Sequence, residues 1–303
     1  MPNSHTPPNI SVIMNCFNGE KYLREAIDSI YAQTYSNWEI IFWDNASSDN
    51  SSRIANSYDK KLKYYRSDKN TRLGEARVNA LEKALGDYVA FLDVDDIFLP
   101  FMLEEQLNIF NNSTEELGFV YGRVEFFSED KSSKYNYVFK EAKSLKSGEI
   151  FSDLCKEDFI PWPSVLVSRK RLLECGGFPS DFYLSADYWI FVNMSRYFQV
   201  GVNQNVVSKV RIHENNLSHN HYVLAAKENI KIVEKYLSHD GVKDSLKYQY
   251  ASLTFAYIKE KKYLKAILLL IKKNILKIVF FRLIRKIFRV FIRITNNLNL
   301  YKN

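Results

Sequence analysis

At 303 residues, 46% hydrophobic and 25% charged, the chain carries enough apolar material for one large domain and an appendage, which excludes disordered and fibrous classes. Its net charge of +7 is unevenly spread: twelve Lys and Arg and no acid lie between Lys261 and Asn303, leaving 30 basic against 35 acidic residues in positions 1–260. A basic tail on an acidic body argues against a nucleic-acid-binding body and points to a polyanionic surface met by the tail.

The first hundred residues alternate between β-branched or aromatic runs and segments of helical period, the pattern of βαβ units on a parallel sheet. Strands are expected at Ile10–Met14, Glu39–Trp43, Leu62–Tyr65 and Tyr88–Leu92, with crossover helices at Tyr22–Ala32, Asn50–Tyr58 and Gly74–Leu85. A helix from Phe101 to Asn111 opens after Pro100, which suits a first helical turn. Phe119–Phe127 and Tyr135–Phe139 read as antiparallel or edge strands, so the sheet is mixed. Ala186–Tyr197 reads as an amphipathic helix and Val206–Ile212 as the last core strand, followed by helices at Tyr222–Leu237 and Val242–Lys259.

The tail, Tyr263–Thr295, has no uncharged run longer than Ala266–Ile271, too short to cross a bilayer. Arg282, Arg285, Lys286, Arg289 and Arg293 share one helical stripe, with Phe280, Ile284, Phe288 and Phe291 away from it. That pattern describes a basic amphipathic helix in the membrane interface, or one that packs its apolar face on the body. The cysteines Cys16, Cys155 and Cys175 show no paired or metal-type spacing, and the polar N-terminus has no basic n-region or apolar h-region. Both fit a cytoplasmic protein without a signal peptide.

In an open parallel sheet, ligands gather at the carboxyl ends of the strands. Asp44 and Asp93 stand at two such ends, and Asp93-Val94-Asp95-Asp96 packs three acids that repel one another unless they hold a cation. Mg²⁺ or Mn²⁺ bridging to phosphate oxygens suits that donor set; helix capping and solvated loop acids are the bland alternative. No G-x-G-x-x-G or G-x-x-x-x-G-K-[ST] pattern occurs, so dinucleotide oxidoreductases and P-loop NTPases lack their phosphate cradle.

Three stretches in this order, Ile10-Ser11-Val12-Ile13-Met14-Asn15-Cys16-Phe17-Asn18-Gly19-Glu20-Lys21-Tyr22-Leu23, Trp43-Asp44-Asn45-Ala46-Ser47-Ser48-Asp49 and Gly86-Asp87-Tyr88-Val89-Ala90-Phe91-Leu92-Asp93-Val94-Asp95-Asp96, resemble the family 2 inverting glycosyltransferases of bacterial surface-polysaccharide type. The likeness covers residues 10 to about 220. It implies a GT-A (Rossmann-like) α/β domain over 1–221, with a mixed, mostly parallel sheet flanked by helices, and a helical C-terminal region over 222–303.

By the same resemblance, Asp44 would accept hydrogen bonds from the donor nucleobase, with Asn18 and Glu20 beside the nucleoside. Asp93 would lie near the ribose and metal, Asp95 would ligate the metal on the diphosphate, and Arg77 would approach the phosphates. Gly176-Gly177-Phe178 followed by Ala186-Asp187-Tyr188-Trp189 matches the segment carrying the general base, which is then Asp187. His213, in Arg211-Ile212-His213-Glu214-Asn215-Asn216-Leu217-Ser218, is a candidate third metal ligand or diphosphate contact, and Trp162 a candidate platform for an acceptor sugar or a core aromatic. The sequence departs from the family pattern at Asn15, Asn45, Ala46, Val78 and Ala186, where Pro, Asp, Gly, Asn and an acid are usual.

The implied activity is hexosyl or N-acetylhexosaminyl transfer, with inversion, from a nucleoside diphosphate sugar, UDP favoured, to a hydroxyl of a lipid-linked or cell-surface glycan. The implied partners include an anionic membrane surface met through residues 261–295 on the cytoplasmic face, and no nucleic acid. A noncatalytic membrane or polyanion-binding protein on a degenerate sugar-nucleotide domain, and a sugar nucleotidyltransferase, are the alternatives.

Overall fold

A computed structural model describes residues 9–129, 137–138, 145–214, 216–217 and 221–284. The chain divides into two compact units, Met1–Leu154 with Asp158–Leu217, and Cys155–Glu157 with Ser218–Asn303. Of the basic stripe expected in the tail, Arg285, Lys286, Arg289 and Arg293 lie outside the described residues, as do Phe288 and Phe291.

The first unit begins with β1 (Ile10–Cys16), α1 (Glu20–Tyr31), β2 (Trp38–Asp44), α2 (Ser51–Ala55), β3 (Leu62–Arg66), α3 (Leu73–Lys83) and β4 (Tyr88–Phe91). These strands pair in parallel in the order β3-β2-β1-β4. Their near-continuous apolar runs are those of strands covered on both faces: β2 is buried along its whole length, and β1 at all but Asn15. On α1, Leu23, Ala26, Ile27 and Ile30 form the buried stripe that meets this sheet. Each such side chain contributes roughly 1.5–3 kcal/mol through burial.

The second half adds β5 (Ile97–Phe98), α4 (Met102–Asn112), β6 (Leu117–Phe127), β7 (Tyr137–Val138), α5 (Phe151–Lys156), a 3-10 turn at Trp162–Ser164, β8 (Val165–Ser168), α6 (Arg169–Glu174), α7 (Ala186–Met194) and β9 (Gln199–Arg211). Among the described residues the sheet has nine strands, ordered β3-β2-β1-β4-β8-β6-β9-β5, with β7 beside β6. Antiparallel β8 joins β4 to β6, while β6 and β9 run parallel through several register shifts. The mixed α/β architecture expected from the sequence is the observed one.

Two expectations need correction here. α7 is not amphipathic: seven of its nine residues are buried, because it packs inside the unit with Phe191 against both Phe119 and Trp162. β9 begins at Gln199 rather than Val206, since its polar first half is held as a strand by pairing with β6.

The second unit carries α8 (Tyr222–Glu234), α9 (Val242–Lys259) and α10 (Tyr263–Lys273). Gly241, at φ +76°, supplies the left-handed residue before α9. The tail is not one continuous helix. Asn274 takes a left-handed conformation at φ 50°, closing α10, and the chain is helical again over 276–284. Ala251, Ile275 and Val279 form a small core with Tyr250, Phe255, Leu270 and Ile278. No helix among the described residues is long and apolar enough to cross a membrane.

Candidate active site

The parallel register aligns Cys16, Asp44 and Arg66 in one row at the carboxyl edge of β1, β2 and β3. The loops leaving this edge are laced together. Asn18 Oδ1 accepts from the Ser48 N–H at 2.8 Å, and Glu20 Oε2 accepts from the Asn50 N–H at 2.8 Å and its side-chain amide at 2.7 Å. Asp49 Oδ2 answers with the Glu20 N–H at 2.9 Å. Asn18 and Glu20, expected beside a nucleoside, are thus exposed residues that also brace the β1 loop against the β2 loop. Asn18 sits at φ 53°, which asparagine tolerates, but Ala46 at φ 65° occupies a left-handed position that costs an L side chain about 1–2 kcal/mol.

Asp44 is fully buried. Its Oδ1 accepts from the Ser47 N–H at 2.7 Å, and its Oδ2 accepts from the Tyr64 hydroxyl and from Arg66 Nη1, both at 2.6 Å. Burial and the neighbouring Asp44 carboxylate raise the Tyr64 pKa, which keeps its hydroxyl a donor. The carboxylate expected to meet a nucleobase is therefore enclosed by protein groups, and Arg66, its partner, is the exposed member.

At the end of β4 the three carboxylates of the acidic loop take different roles. Asp96 turns inward, only 4% exposed, and its Oδ1 accepts the Arg211 N–H at 2.9 Å. Burial first, then the charges of Asp95 and Asp93, hold its pKa well above the ordinary carboxylate range. Asp95 stays half-buried, with Oδ2 2.9 Å from His213 Nε2 and 3.3 Å from the Asn216 side-chain amide. Asp93 keeps a partly open surface, yet the surrounding protein lifts its carboxyl to about 7, helped by the Asp95 charge and opposed by Arg77.

Arg211 binds this loop to the rest of the unit. Its Nε donates to the Asp95 carbonyl at 3.0 Å, Nη2 pairs with Glu25, and the guanidinium lies over Tyr22 at 4.3 Å and Phe127 at 4.5 Å. The tilted Tyr22–His213 ring contact at 5.2 Å extends the same assembly. Arg211 and Tyr22 lay within the quoted motifs without a role; the signal was a cationic residue at the last position of β9, beside an acidic loop.

Arg77, on α3, is 3% exposed and its guanidinium lies 4.2 Å from the Trp162 ring centroid. Its Nη1 is 3.9 Å from Asp187 Oδ1 and has no hydrogen-bond partner. Asp187 opens α7, where unsatisfied N–H groups favour a carboxylate, and its Oδ1 accepts the Tyr188 N–H at 2.8 Å. The Asp187 charge also acts on Asp93. Arg77, Asp93 and Asp187 thus converge, although they are far apart in sequence.

Glycines make that convergence possible. Gly176 and Gly177 reverse the chain after α6 at φ +89° and +66°, and a Cβ on Gly74 would stand 2.4 Å from the Pro179 carbonyl oxygen. α3 therefore approaches the loop that leads into Asp187.

Of the two readings open for Trp162, its packing favours the core aromatic. Its ring stacks on Phe91 at 4.1 Å, takes Phe178 edge-on at 6.1 Å and carries Arg77 over it. Two groups this near one ring centroid occupy opposite faces, so neither face is left for an acceptor sugar. Among the described residues no group of three or more His, Cys, Asp and Glu stands ready-made around a metal position. Asp95 and His213 could supply two ligands to a Mn²⁺ or Mg²⁺ ion.

The profile of Glycosyl transferase family 2 matches residues 11–176. The chain belongs to glycosyl transferase family 2. An uncharacterized glycosyltransferase of Rickettsia felis is 31% identical over 210 residues, 68% of this chain and 34% of that protein. The chain thus spans about a third of that relative's length. The Escherichia coli UDP-Glc:alpha-D-GlcNAc-diphosphoundecaprenol beta-1,3-glucosyltransferase WfgD is 28% identical over 197 residues, 58% of this chain and 77% of that protein.

Among solved structures, a Pyrobaculum calidifontis mannosyltransferase in complex with GDP-Man and Mn²⁺ superposes with a TM-score of 0.62 at 18% identity, covering 88% of this chain and 76% of that one. S. aureus TarS 1-349 in complex with UDP-GlcNAc gives 0.57 at 16% identity, covering 84% and 73%. At such identities the likeness establishes the GT-A fold of this family 2 member.

Proposed function

We propose that the chain is an inverting glycosyltransferase that moves a hexosyl or N-acetylhexosaminyl group from a nucleoside diphosphate sugar, UDP favoured, to a hydroxyl of a lipid-linked or cell-surface glycan. The observation that carries this reading is the convergence of Asp187, buried Arg77 and Asp93 at 3.9 Å and longer range, at the sheet edge that also bears Asp95 and His213. In this reading the Asp187 carboxylate takes the proton of the acceptor hydroxyl as its oxygen attacks the anomeric carbon. The bond from that carbon to the diphosphate oxygen breaks on the opposite face. Arg77, with an unpaired Nη1, stabilises charge developing beside Asp187. Asp95 and His213 would hold a divalent cation, which when bound supplies charge neutralisation for the leaving diphosphate.

Two named proteins support the substrate classes: the WfgD relative, whose name gives a UDP-glucose donor and a diphosphoundecaprenol acceptor, and the TarS complex with UDP-GlcNAc. A membrane role for residues 261–295 draws support from α10, where Leu264, Ile267, Leu268 and Ile271 are 52–74% exposed among Lys261, Lys262, Lys265, Lys272 and Lys273. Such a surface suits a peripheral enzyme on the cytoplasmic face, where a lipid-linked acceptor is at hand. The test is incubation with UDP-sugars, Mn²⁺ and a diphosphate-linked lipid acceptor, with the product's anomeric configuration read by NMR. A product of inverted configuration is expected; retained configuration, or release of pyrophosphate from a sugar phosphate and UTP, would overturn the reading.

A further inference from the structure

We propose that Tyr183 is the platform on which the acceptor's sugar stacks, and so a specificity-determining residue for the transfer. The inference rests on the reading of Asp187 as the group that takes the acceptor proton. A sugar whose hydroxyl reaches Asp187 lies beside the chain that leads into α7. The aromatic residues of that segment divide by exposure. Phe178, Phe182 and Tyr188 are 6%, 3% and 0% exposed and Trp189 is half-buried, whereas Tyr183 is 41% exposed. Trp162, between Phe91 and Arg77, has no face to offer.

The backbone that presents Tyr183 is pinned. Arg72 Nη1 donates to the Asp181 carbonyl and the Gly74 N–H to the Phe182 carbonyl, each at 3.3 Å. Gly74 permits that approach, since a Cβ there would stand 2.8 Å from the Phe182 carbonyl oxygen. The Phe182 ring packs inward, 6.0 Å from Trp189 of α7, and the next side chain, Tyr183, is the exposed one. Beyond it the chain turns in again at Ser185, 5% exposed, immediately before the first residue of α7. Four residues of chain span at most roughly 14 Å, so an acceptor glycan that meets Asp187 can also meet the Tyr183 ring.

The chemistry of the side chain suits a sugar. Its ring face fits the apolar C–H side of a pyranose, and its hydroxyl can exchange a hydrogen bond with a sugar hydroxyl. With two rotatable side-chain angles on a pinned backbone, little conformational freedom is lost when the ring is covered. The contact is made at a distance from the reacting atoms, so it binds ground state and transition state alike and acts on acceptor KM.

Initial rates on the full chain with a UDP-sugar and Mn²⁺ test this, the varied acceptor being N-acetylglucosamine α-linked through diphosphate to a short-chain lipid. Tyr183→Ala is expected to raise acceptor KM roughly tenfold with kcat within about threefold of wild type, while Tyr183→Phe and Tyr183→Trp keep KM within about threefold. UDP affinity, measured by calorimetry on the same preparations, reports an intact donor site. An acceptor KM within about twofold of wild type in Tyr183→Ala would overturn the inference. A rise in Tyr183→Phe as large as in Tyr183→Ala would assign the contact to the hydroxyl alone and overturn the stacking. Should Tyr183→Ala fail to fold, Tyr183→Leu, which fills similar space without a flat face, carries the same expectation and the same refutation. Absence of transfer by wild type would overturn the proposed function and this inference with it, whereas transfer indifferent to Tyr183 overturns the inference alone.

Discussion

Replacing Trp162 with alanine separates a core role from a sugar-stacking one. The side chain is 8% exposed and lies between Phe91 and Arg77, with Phe178 and Phe191 at its edges. Removing it opens a cavity beside four groups, for which Phe or Trp to Ala changes cost roughly 3–5 kcal/mol. Loss of the desolvated cation–π contact with Arg77, worth about 2 kcal/mol, lies partly within that figure. For a unit of this size each kcal/mol moves Tm by about 2–4 °C, so the melting point of the larger unit should fall by roughly 6–20 °C. Thermal melts followed by near-ultraviolet circular dichroism report this directly. Because Arg77 loses its platform, kcat should fall too, with acceptor KM little changed. A Tm within about 2 °C of wild type together with a large rise in acceptor KM would refute the packing argument and restore Trp162 to the acceptor site.

Other perturbations reach different parts of the account. Arg211→Met removes the Nε donor to the Asp95 carbonyl and the ion pair with Glu25 while keeping the backbone N–H bond to Asp96; a destabilisation of roughly 1.5–3 kcal/mol in urea titrations is expected, and a change below about 0.5 kcal/mol would contradict its part in binding the acidic loop. Ala46→Gly relieves a left-handed alanine at φ 65° and should raise Tm by about 2–4 °C, the net of strain removed and chain entropy added; a lower Tm would show that no strain is held there. Ile267→Glu with Ile271→Glu, at 52% and 74% exposure, should reduce sedimentation with anionic vesicles at least about tenfold while leaving transfer to a soluble acceptor intact; undiminished sedimentation would contradict membrane contact through α10.

The βαβ half was legible because periodicity and burial agree there: β2 and β1 are apolar enough, and α1 regular enough, that local pattern and tertiary demand coincide. β5 and β8 were not foreseen, since two and four residues are too few to show a period, and pairing with β9 and with β4 and β6 makes them strands. The broken tail turned on Asn274, an asparagine able to take left-handed φ inside an otherwise helical run.

In the site, spacing after strands pointed to Asp93 and Asp95 because strand ends dictate where loops emerge, whereas Asp187 followed from the family resemblance alone. It said nothing of Arg66, which a strand-end position alone does not distinguish from a surface cation. Trp162 shows the converse: sequence left it open between an acceptor platform and a core aromatic, and a 3-10 turn folds the ring into the core.

The central claim is that Asp187 removes the acceptor proton. Transfer by wild type and Asp187→Asn, with UDP binding measured on the same preparations, tests it most directly. The account predicts a rate lower by about 10²–10⁴-fold in the variant, the contribution of a positioned general base, with UDP affinity within about threefold. Transfer at the wild-type rate by a variant that still binds UDP would contradict it.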